Sequence, residues 1–221
     1  MERQLYPRPI VGTEVVIFSI WERQLKVLLV RREDEPHRGR WALPGGFIRV
    51  DEEIEDCATR ELREQTGVCG INLEQLYTFG RLTRDPRERV ISVAYFALIP
   101  RDKVLPHPAL QSLATEWFVL DALPDLAFDH NEIVAVAYER LGAKLSYSTI
   151  AFQAMPEKFT LSELQEVYEI ILRVDLDKRN FRKRILASGQ MEETCEERRI
   201  GQHRPARLFR ARNPHSIEVI R

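Results

Sequence analysis

The sequence predicts an α+β chain in two parts: a layered α/β/α domain with a mixed sheet, then a small unit of two helices and a hairpin. Three observations predict it. Apolar, β-branched runs alternate with helical repeats through the first two thirds of the chain. Near residue 145 that alternation stops and two short amphipathic helices follow. The charge shifts at the same place: residues 177–212 hold eleven Lys or Arg and five Asp or Glu, a balance of +6, so the rest of this −1 chain carries −7. With 221 residues, 44% hydrophobic and 30% charged, the chain can bury a full core, which excludes a largely disordered protein.

Residues 11–20 and 25–31 read as two paired strands around the polar turn Trp21-Glu22-Arg23-Gln24. Residues 53–66 have helical spacing, with Ile54, Cys57, Ala58 and Leu62 on one stripe and Gly67 where a C-terminal cap belongs. Strands follow at 75–80, 89–99 and 116–120, and a second helix at about 131–144. Residues 145–159 read as a connector ending in Pro156 and Phe159. Thr160-Leu161-Ser162-Glu163 then forms a capping box that opens a helix to about residue 173. Leu161, Leu164, Val167, Tyr168, Ile171 and Leu172 make its apolar face. Asp177 caps the next helix, 178–186, with Phe181 and Ile185 turned inward and Lys178, Arg179, Arg182 and Lys183 outward. Two extended pieces, 190–199 and 206–212, flank the turn at 200–205. Helix, turn, basic helix and hairpin is the plan of a winged helix-turn-helix. The expected domains are 1–148 and 149–221.

The first seven residues are charged and broken by Pro7, and no apolar run approaches the roughly 18–20 residues of a membrane span. A cytoplasmic protein with no membrane partner is expected. Cys57, Cys69 and Cys195 form no CxxC pair and have no His at zinc spacing, so they read as reduced packing residues.

The chemistry is concentrated at Gly45-Gly46 and in the helix beyond it. Gly46 is followed by five residues, Glu52, seven residues, and then Arg60-Glu61-Leu62-Arg63-Glu64-Gln65-Thr66-Gly67-Val68. Positions 61, 64 and 65 share one helix face, where carboxylates would converge on a hard cation such as Mg²⁺ to hold diphosphate oxygens and activate water. The alternative is that these charges are the solvated side of an amphipathic helix. The segment resembles the Nudix signature, in which a Gly, five residues, Glu and seven residues precede R-E-U-x-E-E-x-G-U, with U apolar. All fixed positions match except Gln65, which stands for the second Glu of the pair.

The resemblance implies a Nudix α/β/α sandwich with Glu61 and Glu64 as catalytic carboxylates if the protein is active. Glu61, Glu64 and a weakened Gln65 would be metal ligands, and Gly45, Gly46 and Arg60 would lie around the phosphates. Replacing one carboxylate by an amide removes a unit interaction worth roughly 4 kcal/mol at about 4 Å and ε near 20, before desolvation. Mg²⁺ is therefore expected to bind weakly or not at all, and hydrolysis is left open. The run Phe79-Gly80-Arg81-Leu82-Thr83-Arg84-Asp85-Pro86-Arg87 resembles the ligand loop of the ADP-ribose branch, with Arg81 and Arg84 as diphosphate contacts; a surface turn explains it equally well. His130 reads as a structural residue at a helix start.

Taken with the tail, nearly the whole chain resembles the Nudix-related regulators of NAD metabolism, the NrtR group. That resemblance implies a homodimer that senses ADP-ribose or a related nucleotide and represses genes from a double-stranded DNA operator. In the basic helix, Arg179, Asn180 and Lys183 would face base edges, while Lys178, Arg182 and Arg184 would reach phosphates; Arg204 and Arg207 would serve the wing. Two alternatives stand beside this reading. One is a Mg-dependent ADP-ribose pyrophosphatase whose winged-helix tail only packs or dimerises; the other is the same regulator with a different sugar or nucleotide diphosphate effector.

Overall fold

Strand β1 (Ile10–Trp21) organises the first domain. It pairs in parallel with β6 (Val90–Ile99) and antiparallel with β2 (Gln24–Arg31). The path of the sheet is β3-β2-β1-β6-β5, with β3 at Trp41–Ala42 and β5 at Glu74–Phe79. Short β4 (Gly45–Phe47) adds to β1, and β7 (Thr115–Val119) adds to β2. This computed structural model describes residues 8–104, 114–199, 205–214 and 216–219.

Both faces of β1 are covered, which is why its sequence is an almost unbroken apolar run. Val15 and Ile17 point to one side, with Val93, Tyr95 and Ala97 of β6, and pack on Ala58 and Leu62 of helix α1 (Ile54–Thr66). Val16 and Phe18 point to the other, with Ala94, Phe96 and Leu98, and meet Ile133, Ala137 and Leu141 of α2 (His130–Lys144). Gly67 closes α1 in the left-handed region at φ 74°, where its N–H bonds the Arg63 carbonyl. Ile54, expected on the buried stripe, is instead exposed at the start of α1, where the chain has not yet reached the sheet.

The second apolar layer does not end at α2. It continues through Leu164, Val167, Tyr168 and Ile171 of α3 (Leu161–Leu172), Phe181 and Ile185 of α4 (Lys178–Ala187), and Met191 and Phe209 of the hairpin β8 (Met191–Arg198) and β9 (Ala206–Ala211). Residues 145–159 contribute to this layer: a 3-10 turn at Ile150–Ala154 buries Ile150, Ala151 and Phe152. They are thus core as well as connector. Phe159 and Phe209 exchange backbone hydrogen bonds of 2.9 and 2.8 Å, which tie the hairpin to the start of α3.

Local signals set the C-terminal helices. Thr160 accepts from the Glu163 N–H at 3.2 Å while the Glu163 carboxylate accepts from the Thr160 N–H at 2.7 Å, the capping box its spacing predicts. Asp177 accepts from the Asn180 N–H at 2.9 Å to open α4. The expected turn at 200–205 lies outside the described residues except for Pro205. The short strands β3 and β4 carry no periodic signal; they exist because β2 and β1 offer them edges to pair with.

Because the layer is continuous, a cavity in α3 should be felt across the chain. Leu164→Ala is expected to cost about 2–5 kcal/mol. Trp21, Trp41 and Trp117 all lie in the sheet. Their fluorescence should therefore report the same lowered transition as far-UV circular dichroism; two separated transitions would contradict a shared core.

Candidate functional site

The glycine turn is held at close range on two sides. Residues Gly12, Thr13 and Glu14 of β1 face Phe47, Gly46 and Gly45 of β4. A Cβ on Gly45 would lie 2.1 Å from the Thr13 carbonyl oxygen, and one on Gly46 would lie 2.4 Å from the Glu61 carboxylate. Only glycine allows the backbone and the α1 carboxylate to approach this closely.

Arg60, 12% exposed, is enclosed by carboxylates. Its Nε donates to Glu52 Oε1 at 2.6 Å, a second nitrogen donates to Glu52 Oε2 at 2.9 Å, and the third donates to Glu61 Oε1 at 2.6 Å. This fork holds the Glu52 carboxyl down at about 2 and raises Arg60 above its ordinary range. Glu64 is half-exposed and 3.5 Å from Arg60. Gln65 turns its oxygen to the Gly45 N–H at 3.1 Å, and its nitrogen donates to the Gly45 carbonyl and to Glu61 Oε2, each at 2.7 Å.

These donors do not fit a Nudix-type divalent centre. Both oxygens of Glu61 are engaged, one by a guanidinium and one by an amide. The Gln65 oxygen faces a backbone N–H, and Glu52 is neutralised by Arg60. Among the described residues, no group of three or more His, Cys, Asp and Glu is arranged to hold a metal ion.

Behind the turn is a buried charged cluster. Arg84, 4% exposed, makes two bonds to Asp129, of 3.0 and 2.9 Å, and one of 3.3 Å to Glu14. Arg84 therefore locks the 80–87 loop to the start of α2, and its charge is not presented outward. Glu14 Oε2 is buried without a hydrogen-bond partner, and burial pushes the Glu14 carboxyl up to about 7. His130 Nδ1 accepts the Leu43 N–H at 2.9 Å, and burial pushes its imidazole down to about 3, so it is neutral and structural, as a helix-start histidine is expected to be. Arg81 is exposed and pairs with Glu132 at 3.0 Å.

Sequence reasoning missed Arg32 and did not single out Phe128 or Arg87. The Arg32 guanidinium lies 4.8 Å from the centre of the Phe128 ring, and Arg87 lies 5.8 Å from Phe47 and 6.0 Å from Phe128. Burial, and then the charge of Arg87, push Arg32 below its ordinary value, so an anion between the two would relieve a repulsion. Arg87 was legible as the end of Arg84-Asp85-Pro86-Arg87; Arg32 is 55 positions away by number and only folding brings it near. A separate cleft of about 890 Å³ lies between the end of β6 and the hairpin, lined by residues such as Phe96, Phe152 and Arg210, and is not part of this site.

In the C-terminal unit α4 presents Lys178, Arg179, Asn180, Arg182, Lys183 and Arg184, all exposed, around the buried pair Phe181 and Ile185. Among the described residues no carboxylate pairs with Lys178, Arg179, Arg182 or Lys183, and Arg184 lies 5.6 Å over the Tyr168 ring. The hairpin differs: Arg207 pairs with Glu193, Arg210 with Glu192 and Arg198 with Glu163. Arg204 lies outside the described residues.

Fold and site together define a Nudix domain joined to a C-terminal winged helix. Residues 12–139 match the NUDIX domain family, and residues 151–211 match the NrtR DNA-binding winged helix domain. Over 209 residues the chain is 42% identical to the "ADPR responsive transcriptional repressor NtrR" of Acinetobacter baylyi, spanning 93% of this chain and 83% of that protein. Shewanella oneidensis NrtR, crystallised with a 27mer DNA, is similar with a TM-score of 0.82 at 35% identity, over 93% of this chain and 95% of that one. The NUDIX domain of the same protein, crystallised with ADP ribose, matches with a TM-score of 0.53 at 37% identity, over 62% of this chain and 90% of that one. The chain belongs to the NrtR family.

Two measurements check the buried cluster. Arg84→Ala strands Asp129 and Glu14 and should cost about 3–5 kcal/mol in a denaturant titration. Folded Glu14 keeps its proton to about 7, whereas the unfolded chain releases it near 4.5, so this group's contribution to stability falls as pH rises from 4.5 to 7. His130 contributes the opposite slope between 3 and 6.5. Relative to the native chain, Glu14→Gln should therefore gain up to about 3 kcal/mol across pH 4.5–7 and then level off; a flat difference would show a carboxyl that ionises normally.

Proposed function

We propose that this chain is an ADP-ribose-responsive repressor of NAD-metabolism genes: residues 1–148 sense the nucleotide and residues 149–221 bind a double-stranded operator, two copies acting as a cytoplasmic homodimer. The observation that carries this reading is α4, a capped helix whose outward face is cationic and unneutralised among the described residues. Hairpin charges, by contrast, are largely balanced by neighbouring glutamates.

With Phe181 and Ile185 packed inward, Arg179 and Lys183 lie on the opposite side of the helix. They and Asn180 at the first turn would meet base edges in the major groove, while Lys178, Arg182 and Arg184 would meet phosphates. Arg207, and Arg204 beyond the described residues, would follow the wing. In the sensing half, Gly45 and Gly46 would bring backbone close to the diphosphate. Arg32 and Arg87 would neutralise it, and Arg60, Arg81 and Arg84 would position their surroundings. Mg²⁺ would bind weakly or not at all. The hydrolase alternative loses support because Glu61 and Gln65 are already engaged with each other and with Arg60.

Gel-shift or anisotropy titrations on the chain's own upstream DNA test the proposal. Affinity should fall steeply with salt, and Arg179→Ala should cost about 1–3 kcal/mol on the operator. Adding ADP-ribose should change the operator affinity. Salt-insensitive binding would sink the DNA-binding half of the reading, and indifference to ADP-ribose would sink the sensing half.

A further inference from the structure

Gln65 uses every hydrogen-bonding group it has within one small space. Its oxygen accepts the Gly45 N–H, and its two amide hydrogens go to the Gly45 carbonyl and to Glu61 Oε2. The remaining oxygen of Glu61 is held by Arg60. The amide therefore cross-braces the glycine turn to α1, and Gly46 lets Glu61 lie directly against that turn.

A glutamate in the same pose would keep the bond to the Gly45 N–H and lose the other two. Its second oxygen would face a carbonyl oxygen and a carboxylate oxygen, each at 2.7 Å, with no hydrogen to place between them. Oxygens brought this close repel one another unless a cation lies among them, and hard dications take such ligands. The two amide hydrogens of Gln65 remove that need, one for each neighbouring oxygen.

We propose that the Gln65 amide replaces a divalent cation as the brace of this turn, so that the turn keeps its ligand-ready shape without metal, and that Gln65→Glu alone makes the shape depend on a cation. The brace concerns the turn and stands whether or not ADP-ribose is the ligand; only the ligand titration below rests on the proposed function.

The test is thermal unfolding of the full chain in EDTA and in millimolar MgCl₂. The unchanged protein should melt at the same temperature in both. Gln65→Glu should melt about 2–10 °C lower in EDTA and recover most of the loss in Mg²⁺. Gln65→Leu, which can neither bridge nor bind metal, should show the loss without recovery. The proposal is overturned if Gln65→Glu melts like the unchanged protein in EDTA, if Gln65→Leu also recovers, or if the unchanged protein is itself stabilised by Mg²⁺. Should Gln65→Glu fail to fold, a Mn²⁺ titration of the unchanged protein followed by electron paramagnetic resonance decides: free Mn²⁺ throughout supports the amide brace, and one tightly bound ion overturns it. ADP-ribose added to the unchanged protein in EDTA should bind as well as in Mg²⁺. Binding only with Mg²⁺ refutes the brace, whereas binding in neither refutes the choice of ligand and leaves the melting results to decide the brace.

Discussion

The packing of one apolar layer against two different partners governs this molecule. The side of the sheet formed by Val16, Phe18, Ala94 and Phe96 is covered by α2, and the same layer runs on through α3 and α4 to Phe209. A small helical unit with a two-stranded hairpin has little core of its own, and it gains one here by sharing that of the larger domain. Surface contacts reinforce the joint: the Tyr138 hydroxyl donates to the Ile171 carbonyl at 2.9 Å, and Arg23 pairs with Glu166 at 2.6 Å. A surface ion pair adds little stability, so the apolar layer holds the joint and the ion pairs align it. Under the proposed function, this attachment means that a nucleotide acts on α4 through packed elements, and it can do so only by binding one arrangement better than another.

The opposite face is specialised differently. There α1 packs on Val15, Ile17 and Tyr95 and carries the motif residues at its outer edge. Close approach defines the region. Two glycines let β4 press on β1 and on Glu61, one arginine bridges two carboxylates, and one amide joins the turn to the helix. The charges are concentrated yet nearly all are matched internally, as burial requires. The exception is Glu14, whose buried Oε2 has no partner and whose carboxyl holds its proton to about 7. Arg32 and Arg87 set like charges near each other over an aromatic ring, with Arg87 itself paired to Asp85 at 2.8 Å.

Charge also separates the parts of the winged helix. The balance of +6 over residues 177–212 gives the region a sign but no location. In three dimensions the glutamates of β8 lie beside the arginines of β9, so those charges largely cancel, and among the described residues of the tail the positive face that remains is α4. A field focused on one exposed helix serves a groove in duplex DNA better than the same charge spread over a hairpin.

By itself the sequence determined what depends on near neighbours. Thr160 with Glu163, Asp177 with Asn180, and Gly67 after α1 are local contacts, and each is found where its spacing places it. The covered strands were legible because burial on two faces demands unbroken apolar runs, and the Nudix motif was legible because a helix keeps residues 60–65 at constant angular intervals. Tertiary structure decided whatever joins distant segments. Arg84, which reads as a ligand residue, is enclosed by Asp129 and Glu14, while Arg32 and Arg87 take the place beside Phe128. Gln65 reads as a weakened metal ligand, and only folding brings its amide into hydrogen bonds with a turn twenty positions earlier. The physical reason is that capping and periodicity are settled within one or two turns of chain, whereas the partner of a buried charge or amide is whichever group the packed core carries to it.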